Sequence, residues 1–135
     1  MTQGLILFAH GARDPRWAAP FQAVLARVQA LEPDTRACLA YLELMTPSLP
    51  EAAATLAAEG CAEITVQPMF LGTGGHLRRD LPLLMDDLRQ RHPGVRWHLG
   101  SAIGEVDSVI EAMAAAAALA AARTRDPDGG DTAAP

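Results

Sequence analysis

Two histidines occupy positions from which a protein chain can present them to a ligand. His10 follows the apolar run of residues 4–9 (GLILFA) and precedes Gly11, which permits a tight turn. His76 follows a loop with three glycines in four residues, and backbone N–H groups at such a helix start bind anions. Each histidine is a candidate for metal binding or proton transfer. The alternative for each is a structural histidine that bonds the backbone and fixes its turn.

A carboxylate is the third candidate for a chemical role. Glu43 lies within the otherwise apolar segment of residues 41–44 (YLEL), and burial of a carboxylate is costly unless it is paired or bound to metal. The alternative is an edge or strand-end position with the Glu43 side chain in solvent. Two imidazoles and one carboxylate suit Co(II), Ni(II), Fe(II) or Zn(II), and the ligand types do not choose among these metals.

The other reactive residue types offer less. His92 sits at a predicted helix end, where a cation is favoured anyway, and His98 lies in a predicted last strand, which favours a surface or packing role. No serine lies in a GxSxG elbow, which argues against a serine hydrolase. Cys38 and Cys61 form no CxxC motif, so we expect two free, buried thiols and neither a zinc ribbon nor a disulfide framework.

The hydrophobic pattern alternates short apolar runs with stretches of helical periodicity. This alternation predicts an α/β fold with a four-stranded parallel sheet and helices on both faces, a flavodoxin-like three-layer arrangement. Ligands bind such sheets beyond the carboxyl ends of the strands, so His10, Glu43 and the loop before His76 should share one edge. Pro82 is expected near the first turn of its helix. The predicted strands span residues 4–9, 35–44, 62–69 and 95–99.

The chain has 135 residues, which favours one domain. We assign residues 1–123 to a single α/β domain and expect residues 124–135, rich in Asp, Gly and Pro, to be a disordered tail. The net charge of -5 argues against a nucleic-acid partner. The sequence shows no signal-peptide pattern and no uninterrupted apolar run of roughly 20 residues, so we expect a cytoplasmic protein without a membrane partner.

Three segments, in order, resemble the sirohydrochlorin chelatases. Residues 10–15 (HGARDP) resemble the HGSRDP segment of that family, and residues 41–49 (YLELMTPSL) resemble its FLE…PSL segment. Residues 68–82 (PMFLGTGGHLRRDLP) resemble its P-x-FL…GGH-x-x-x-D-[IL]-P segment. The resemblance covers about residues 5–120. One departure is Ala12 where the family usually has serine, which puts any role of that hydroxyl in doubt.

The resemblance implies a chelatase-like half-unit and a metal chelatase, a lyase that inserts a divalent ion into sirohydrochlorin for cobalamin or sirohaem biosynthesis. Cobalt is the expected metal, with iron or nickel as alternatives. The metal would be a substrate, with no permanently bound cofactor. Because many members carry two such halves in one chain, this short form implies a homodimer with the site between subunits. His10, His76 and Glu43 are the implied metal-binding and catalytic residues.

The same resemblance suggests how the substrate is bound. Sirohydrochlorin carries several carboxylates, and its pyrrole nitrogens must lose protons as the metal enters. His10 or His76 would accept such a proton as a general base, while Glu43 would orient a histidine or relay the proton. Positive charge and loop N–H groups would bind the carboxylates. The residues expected to bind substrate are Arg13, Gly72, Thr73, Gly74, Gly75, Arg78 and Arg79.

Two other functions are compatible with these residues. A non-catalytic module that binds a tetrapyrrole or sequesters metal would use the same histidines and the same glycine loop. A histidine phosphatase-like enzyme is the weaker alternative, because residues 8–13 (FAHGAR) faintly resemble the RHG start of that superfamily. There an arginine precedes the histidine, whereas this chain has Ala9.

Overall fold

The computed structural model of the chain describes residues 2–125. They form a parallel sheet of four strands in the order β2-β1-β3-β4, connected by helices. The predicted alternation of strands and helices in an α/β fold is confirmed. The strands are β1 (Thr2–Ala9), β2 (Arg36–Tyr41), β3 (Cys61–Pro68) and β4 (Arg96–Leu99). The helices are α1 (Ala19–Leu31), α2 (Leu49–Ala58), α3 (Gly75–Arg91) and α4 (Asp107–Arg125).

The main core lies on one face of the sheet, beneath α2 and α3. Alternate residues of the central strands, such as Phe8 and Ile64, point into it, because successive side chains of a strand face opposite sides. From α3, Met85 and Leu88 fill the space above the sheet and are almost completely buried. This packing holds α3, and therefore the loop before it, against the carboxyl half of the sheet.

The opposite face of the sheet is less completely covered. Helix α1 packs there, mainly over β2 and β1, yet none of its residues is fully buried. A small second core gathers Tyr41 and Ala18 with the partly buried rings of Trp17 and Phe21. Over β3 and β4 this face is more open, since Thr65 stays partly exposed and His98 is exposed.

Helix α4 contributes little to either core. Its main contact is with the 3-10 turn Ile103–Glu105 that precedes it, and none of its residues is buried. Ile110 and Met113, on one side of the helix, are exposed. Within residues 2–125, neither α4 nor any other helix combines the length and the apolar composition that a bilayer crossing requires.

The structure corrects several predicted boundaries. Strand β2 ends at Tyr41 and not at residue 44; beyond it the chain loops back, so that the N–H of Tyr41 donates to the carbonyl of Pro47. Pro82 lies inside α3 and not near its first turn, since the helix already begins at Gly75. Helix α4 extends to Arg125, so the first two residues of the predicted tail are helical; residues 126–135 lie outside the described residues.

The main core should account for most of the stability of the domain. We expect Met85→Ala to lower the free energy of unfolding by roughly 2–5 kcal/mol, because it leaves a cavity between α3 and the sheet. Leu83→Ala, on the exposed side of the same helix, should change it by only about 0.5 kcal/mol. Urea unfolding of both variants checks this, and equal losses would contradict the described packing of α3.

Candidate active site

An imidazole and a carboxylate meet at the carboxyl edge of the sheet. The Nε2 atom of His10 lies 3.1 Å from Oε1 of Glu43, and the two side chains are 49% and 55% exposed. His10 directly follows β1, and Glu43 follows the neighbouring strand β2. The predicted position of Glu43 within β2 is wrong; the alternative of a strand-end carboxylate facing solvent is correct. Its partner is nevertheless the histidine that the sequence singled out.

The backbone at this corner determines how the pair is placed. The N–H of Glu43 donates to the carbonyl of His10 at 3.1 Å, and Leu42 N–H donates to the carbonyl of Ala9 at 2.9 Å. Gly11 has a φ of 97°, and a Cβ atom built on it would overlap the carbonyl oxygen of Glu43. Glycine is therefore required here both for its backbone conformation and for the close approach of the two segments.

An aromatic ring supports the imidazole from the other side. The ring centroids of His10 and Phe70 are 6.2 Å apart at an interplanar angle of 76°, an edge-to-face arrangement. Phe70 is buried and packs in the same manner against Phe8. Phe70 is not among the site residues predicted from the sequence. The signal that could have found it is its position two residues after the end of β3, because β3 pairs with β1 on the side opposite β2.

His76 lies in the first turn of α3, exposed at the same edge of the sheet. Within residues 2–125, however, no three His, Cys, Asp or Glu side chains are grouped closely enough to hold a metal ion. The structure thus brings His10 and Glu43 together but not His76. A metal site built from all three residues stays a prediction.

The glycine loop before His76 leaves room for a ligand. A Cβ atom added to Gly72, Gly74 or Gly75 would meet no other heavy atom within 4 Å. Gly74 is the N-cap of α3 and provides no side-chain cap, so the first N–H groups of the helix have no side-chain acceptor there. Thr73, between the glycines, is half-buried. The loop and the helix start are therefore available to an anion.

The predicted substrate-binding arginines are all exposed. Arg78 follows the loop in α3, and Arg79 donates from Nε to the carbonyl of Gly75 at 3.3 Å. Arg13, two residues after Gly11, forms no salt bridge with any residue between 2 and 125. These arginines place positive charge near the histidines.

Asp14 has a local structural role beside the site. Its carboxylate accepts bonds from the backbone N–H and the guanidinium of Arg16, and the side-chain bond to Arg16 chiefly holds the pKa of Asp14 below its usual value. The carboxylate caps the 3-10 helix Pro15–Ala18.

The remaining candidates lie away from this edge. His98 pairs with Glu63 on the open face of the sheet, with Nε2 and Oε1 2.7 Å apart, so its surface position is as expected. His92 ends α3, as predicted. Both cysteines are free, as expected, but only Cys61 is fully buried; Cys38 is partly buried, and this burial raises the pKa of its thiol to about 11. Such a thiol is a poor nucleophile at neutral pH.

The chain is similar to known proteins in both sequence and structure. The model of the CbiX family matches residues 4–120, which is most of the chain. The chain belongs to the CbiX family. This match and the similarity to a named relative together confirm the resemblance to the sirohydrochlorin chelatases. A sirohydrochlorin cobaltochelatase from Saccharolobus solfataricus is 32% identical over 98 residues, which cover 67% of this chain and 73% of that protein.

Solved structures agree on the three-layer fold. A crystal structure from Marinobacter aquaeolei VT8, of a protein described as a CbiX protein of cobalamin biosynthesis, superposes with a TM-score of 0.78 at 32% identity. The match covers 90% of this chain and 98% of that one. The structure of SirB from Bacillus subtilis with Fe3+ matches with a TM-score of 0.73 at 26% identity and covers 86% of this chain. The match spans only 46% of the SirB chain.

The close approach at Gly11 should be essential for the histidine–carboxylate pair. We expect Gly11→Ala to destabilise the domain by about 2 kcal/mol or more, because the new methyl group forces the Glu43 backbone away. The His10 imidazole resonances in NMR spectra should shift at the same time. Gly94→Ala is the matched control, since a Cβ atom there meets open space. Unchanged unfolding and unchanged His10 resonances in Gly11→Ala would contradict the geometry.

Proposed function

We propose that this protein inserts a divalent metal ion, cobalt in the first place, into sirohydrochlorin. The observation that carries the proposal is the half-exposed His10–Glu43 pair at the ligand-binding edge of a CbiX-family fold. The name of its Saccharolobus solfataricus relative supports cobalt and this macrocycle. The Fe3+ in the SirB structure keeps iron as an alternative, and the family resemblance adds nickel. We place the reaction in cobalamin biosynthesis and the protein in the cytoplasm.

In this proposal the metal is a substrate that His10 and Glu43 receive together. Metal–ligand bonds of about 2.0–2.2 Å to an imidazole nitrogen and a carboxylate oxygen are compatible with their separation of 3.1 Å. Two ligands at adjacent corners of a coordination shell lie about that far apart. The incoming ion would replace the contact between these two atoms. Solvent molecules or the macrocycle nitrogens would complete the coordination.

His76 is the proposed acceptor for a proton released by the pyrrole nitrogens. The reason for this assignment is that Glu43 already pairs with His10, whereas His76, on the first turn of α3, is exposed and forms no salt bridge with residues 2–125. The open space around Gly74 and Gly75 allows this turn to approach a bound macrocycle. A general base of this kind accelerates a reaction by roughly 100-fold to 10,000-fold.

Positively charged and N–H groups at the carboxyl edge of the sheet would bind the carboxylates of the substrate. Arg13 and Arg78 can turn toward a carboxylate because neither is held in a salt bridge with residues 2–125. The first N–H groups of α3, which lack a side-chain cap, would bind a further carboxylate. Arg79 supports the loop through its bond to Gly75 and adds positive charge.

The proposal further includes a homodimer with the active site between subunits. The apolar stripe of α4, with Ile110 and Met113, is exposed among the described residues 2–125, and the sheet face over β4 is open. SirB supports pairing, because this chain matches about half of the length of SirB. A second copy would supply the other half and cover the stripe of α4.

Catalysis is tested by anaerobic incubation with sirohydrochlorin and Co(II), Fe(II) or Ni(II), followed by absorbance. We expect His10→Ala and His76→Ala to lower the rate of cobalt insertion by roughly 100-fold or more. Glu43→Gln should lower it as well, because the amide is a poor metal ligand. The control His92→Asn, at the far end of α3, should retain the rate.

The outcomes separate the three functions under consideration. If no metal enters faster than the spontaneous reaction, the chelatase function is wrong. Binding of the macrocycle or of Co(II) without turnover would then favour a non-catalytic binding module. Hydrolysis of a small phosphoester that His10→Ala abolishes would favour the histidine phosphatase-like enzyme. If insertion is fast but the variants match the wild type, only the assignment of the site fails.

Sedimentation tests the dimer independently of activity. We expect a dimer for the wild type and a monomer for Met113→Asp, because a charge buried without a partner in the interface is costly. Ala115→Asp, on the opposite side of α4, should remain dimeric. Circular dichroism establishes that both variants keep their helices. A fully active wild-type monomer would contradict the shared site.

A further inference from the structure

Leu44, next to Glu43, has an unusual backbone conformation. Its φ is 67°, and within residues 2–125 the other residues with positive φ are glycines. The N–H of Met45 donates to the carbonyl of Glu43 at 2.8 Å, which closes a three-residue turn with Leu44 at its centre. A branched side chain is disfavoured in this region, where glycine would fit without strain.

The side chain that this turn presents is directed away from the core. Leu44 is 60% exposed, although it is large and apolar. Both the turn and the exposure cost free energy, and neither is offset by packing in the two described cores. Strained residues of this kind are found where a function requires them. Because Leu44 is adjacent to Glu43 of the His10–Glu43 pair, the function in question is contact with a ligand bound at that pair.

A second exposed leucine stands on the other side of His10. Leu71 follows Phe70 beyond the end of β3 and is 72% exposed. Its backbone is closely backed by Gly104, where a Cβ atom would overlap it, and the N–H of Gly104 donates to the carbonyl of Phe70 at 3.1 Å. Because β1 lies between β2 and β3, the strands that lead to the two leucines lie about 10 Å apart, on either side of the strand that leads to His10.

We infer that Leu44 and Leu71 are substrate-positioning residues, on which the apolar ring of the macrocycle rests above the His10–Glu43 pair. The inference rests on the proposed chelatase function. Charged residues at the edge can bind the carboxylates of the periphery, but such bonds leave the tilt of the ring free. Two apolar contacts, one on each side of His10, limit that tilt and direct the central nitrogens at the metal. Water is excluded from the contacted ring surface at the same time.

The test compares Leu44→Ala, Leu44→Gly and Leu71→Ala in full-length protein. We expect each to weaken binding of metal-free sirohydrochlorin about tenfold, the loss expected when most of a leucine contact is removed. Binding of Co(II) without the macrocycle should not change. In steady-state insertion, the KM for sirohydrochlorin should rise more than kcat falls. Leu44→Met should restore most of the affinity for sirohydrochlorin.

The turn at Leu44 supplies a readout that a purely structural role would not produce. Leu44→Gly should unfold at a temperature equal to or above that of the wild type, because glycine adopts the positive φ freely, and yet bind the macrocycle poorly. Leu31→Ala is the control, because Leu31 is 79% exposed at the end of α1, at the opposite edge of the sheet. This variant should bind sirohydrochlorin as tightly as the wild type does.

Three outcomes would overturn the inference in distinguishable ways. Wild-type affinity for sirohydrochlorin in both Leu44→Ala and Leu71→Ala would show that the leucines do not contact it. Parallel losses of Co(II) binding, macrocycle binding and thermal stability would assign the leucines a structural role. Failure of the wild type to bind sirohydrochlorin would instead reject the proposed function, and the inference with it.

Discussion

The site depends on the close approach of two backbone segments, the turn at Gly11 after β1 and the turn at Glu43 after β2. A side chain at Gly11 would occupy the space of the Glu43 carbonyl, so the distance between the segments is set by the lack of a Cβ atom. Parallel pairing of β1 and β2 brings both segments to the same edge, and the bond from Glu43 N–H to the His10 carbonyl fixes their register. The imidazole and the carboxylate are in contact because the backbone segments that carry them are held close together.

Much of this arrangement can be predicted from the sequence. Buried parallel strands are short apolar runs, and proline and glycine mark their ends, so the order of elements is readable. Ligands bind beyond the carboxyl ends of parallel strands, and from this rule the sequence predicts that His10 and Glu43 lie at one edge of the sheet. The end of β2 could not be predicted, because the apolar sequence continues past Tyr41 while the regular strand gives way to the turn at Glu43 and Leu44. The separation of His76 from the pair depends on the path of a glycine loop, which periodicity does not describe.

The two faces of the sheet are used differently. The main core lies under α2 and α3, and this half of the domain carries the loop that leads to His76. Over β3 and β4 the other face retains polar side chains such as His98 and Glu63, and α4 leaves its apolar stripe exposed. The exposed apolar stripe of α4 and the open sheet face are the two surfaces on which the proposed homodimer rests.

The half-exposed state of His10 and Glu43 has a consequence for how tightly this pair could bind a metal ion. A buried, fully enclosed ligand set retains its ion, as structural zinc sites do. A pair of ligands open to solvent holds an ion weakly, and exchanges it with the surrounding pool. Under the proposed function, such weak binding favours transfer of the ion to the tetrapyrrole, whose four nitrogens bind it more tightly than two exposed side chains. In that case the choice of the inserted metal would depend on which ions are available as well as on the protein.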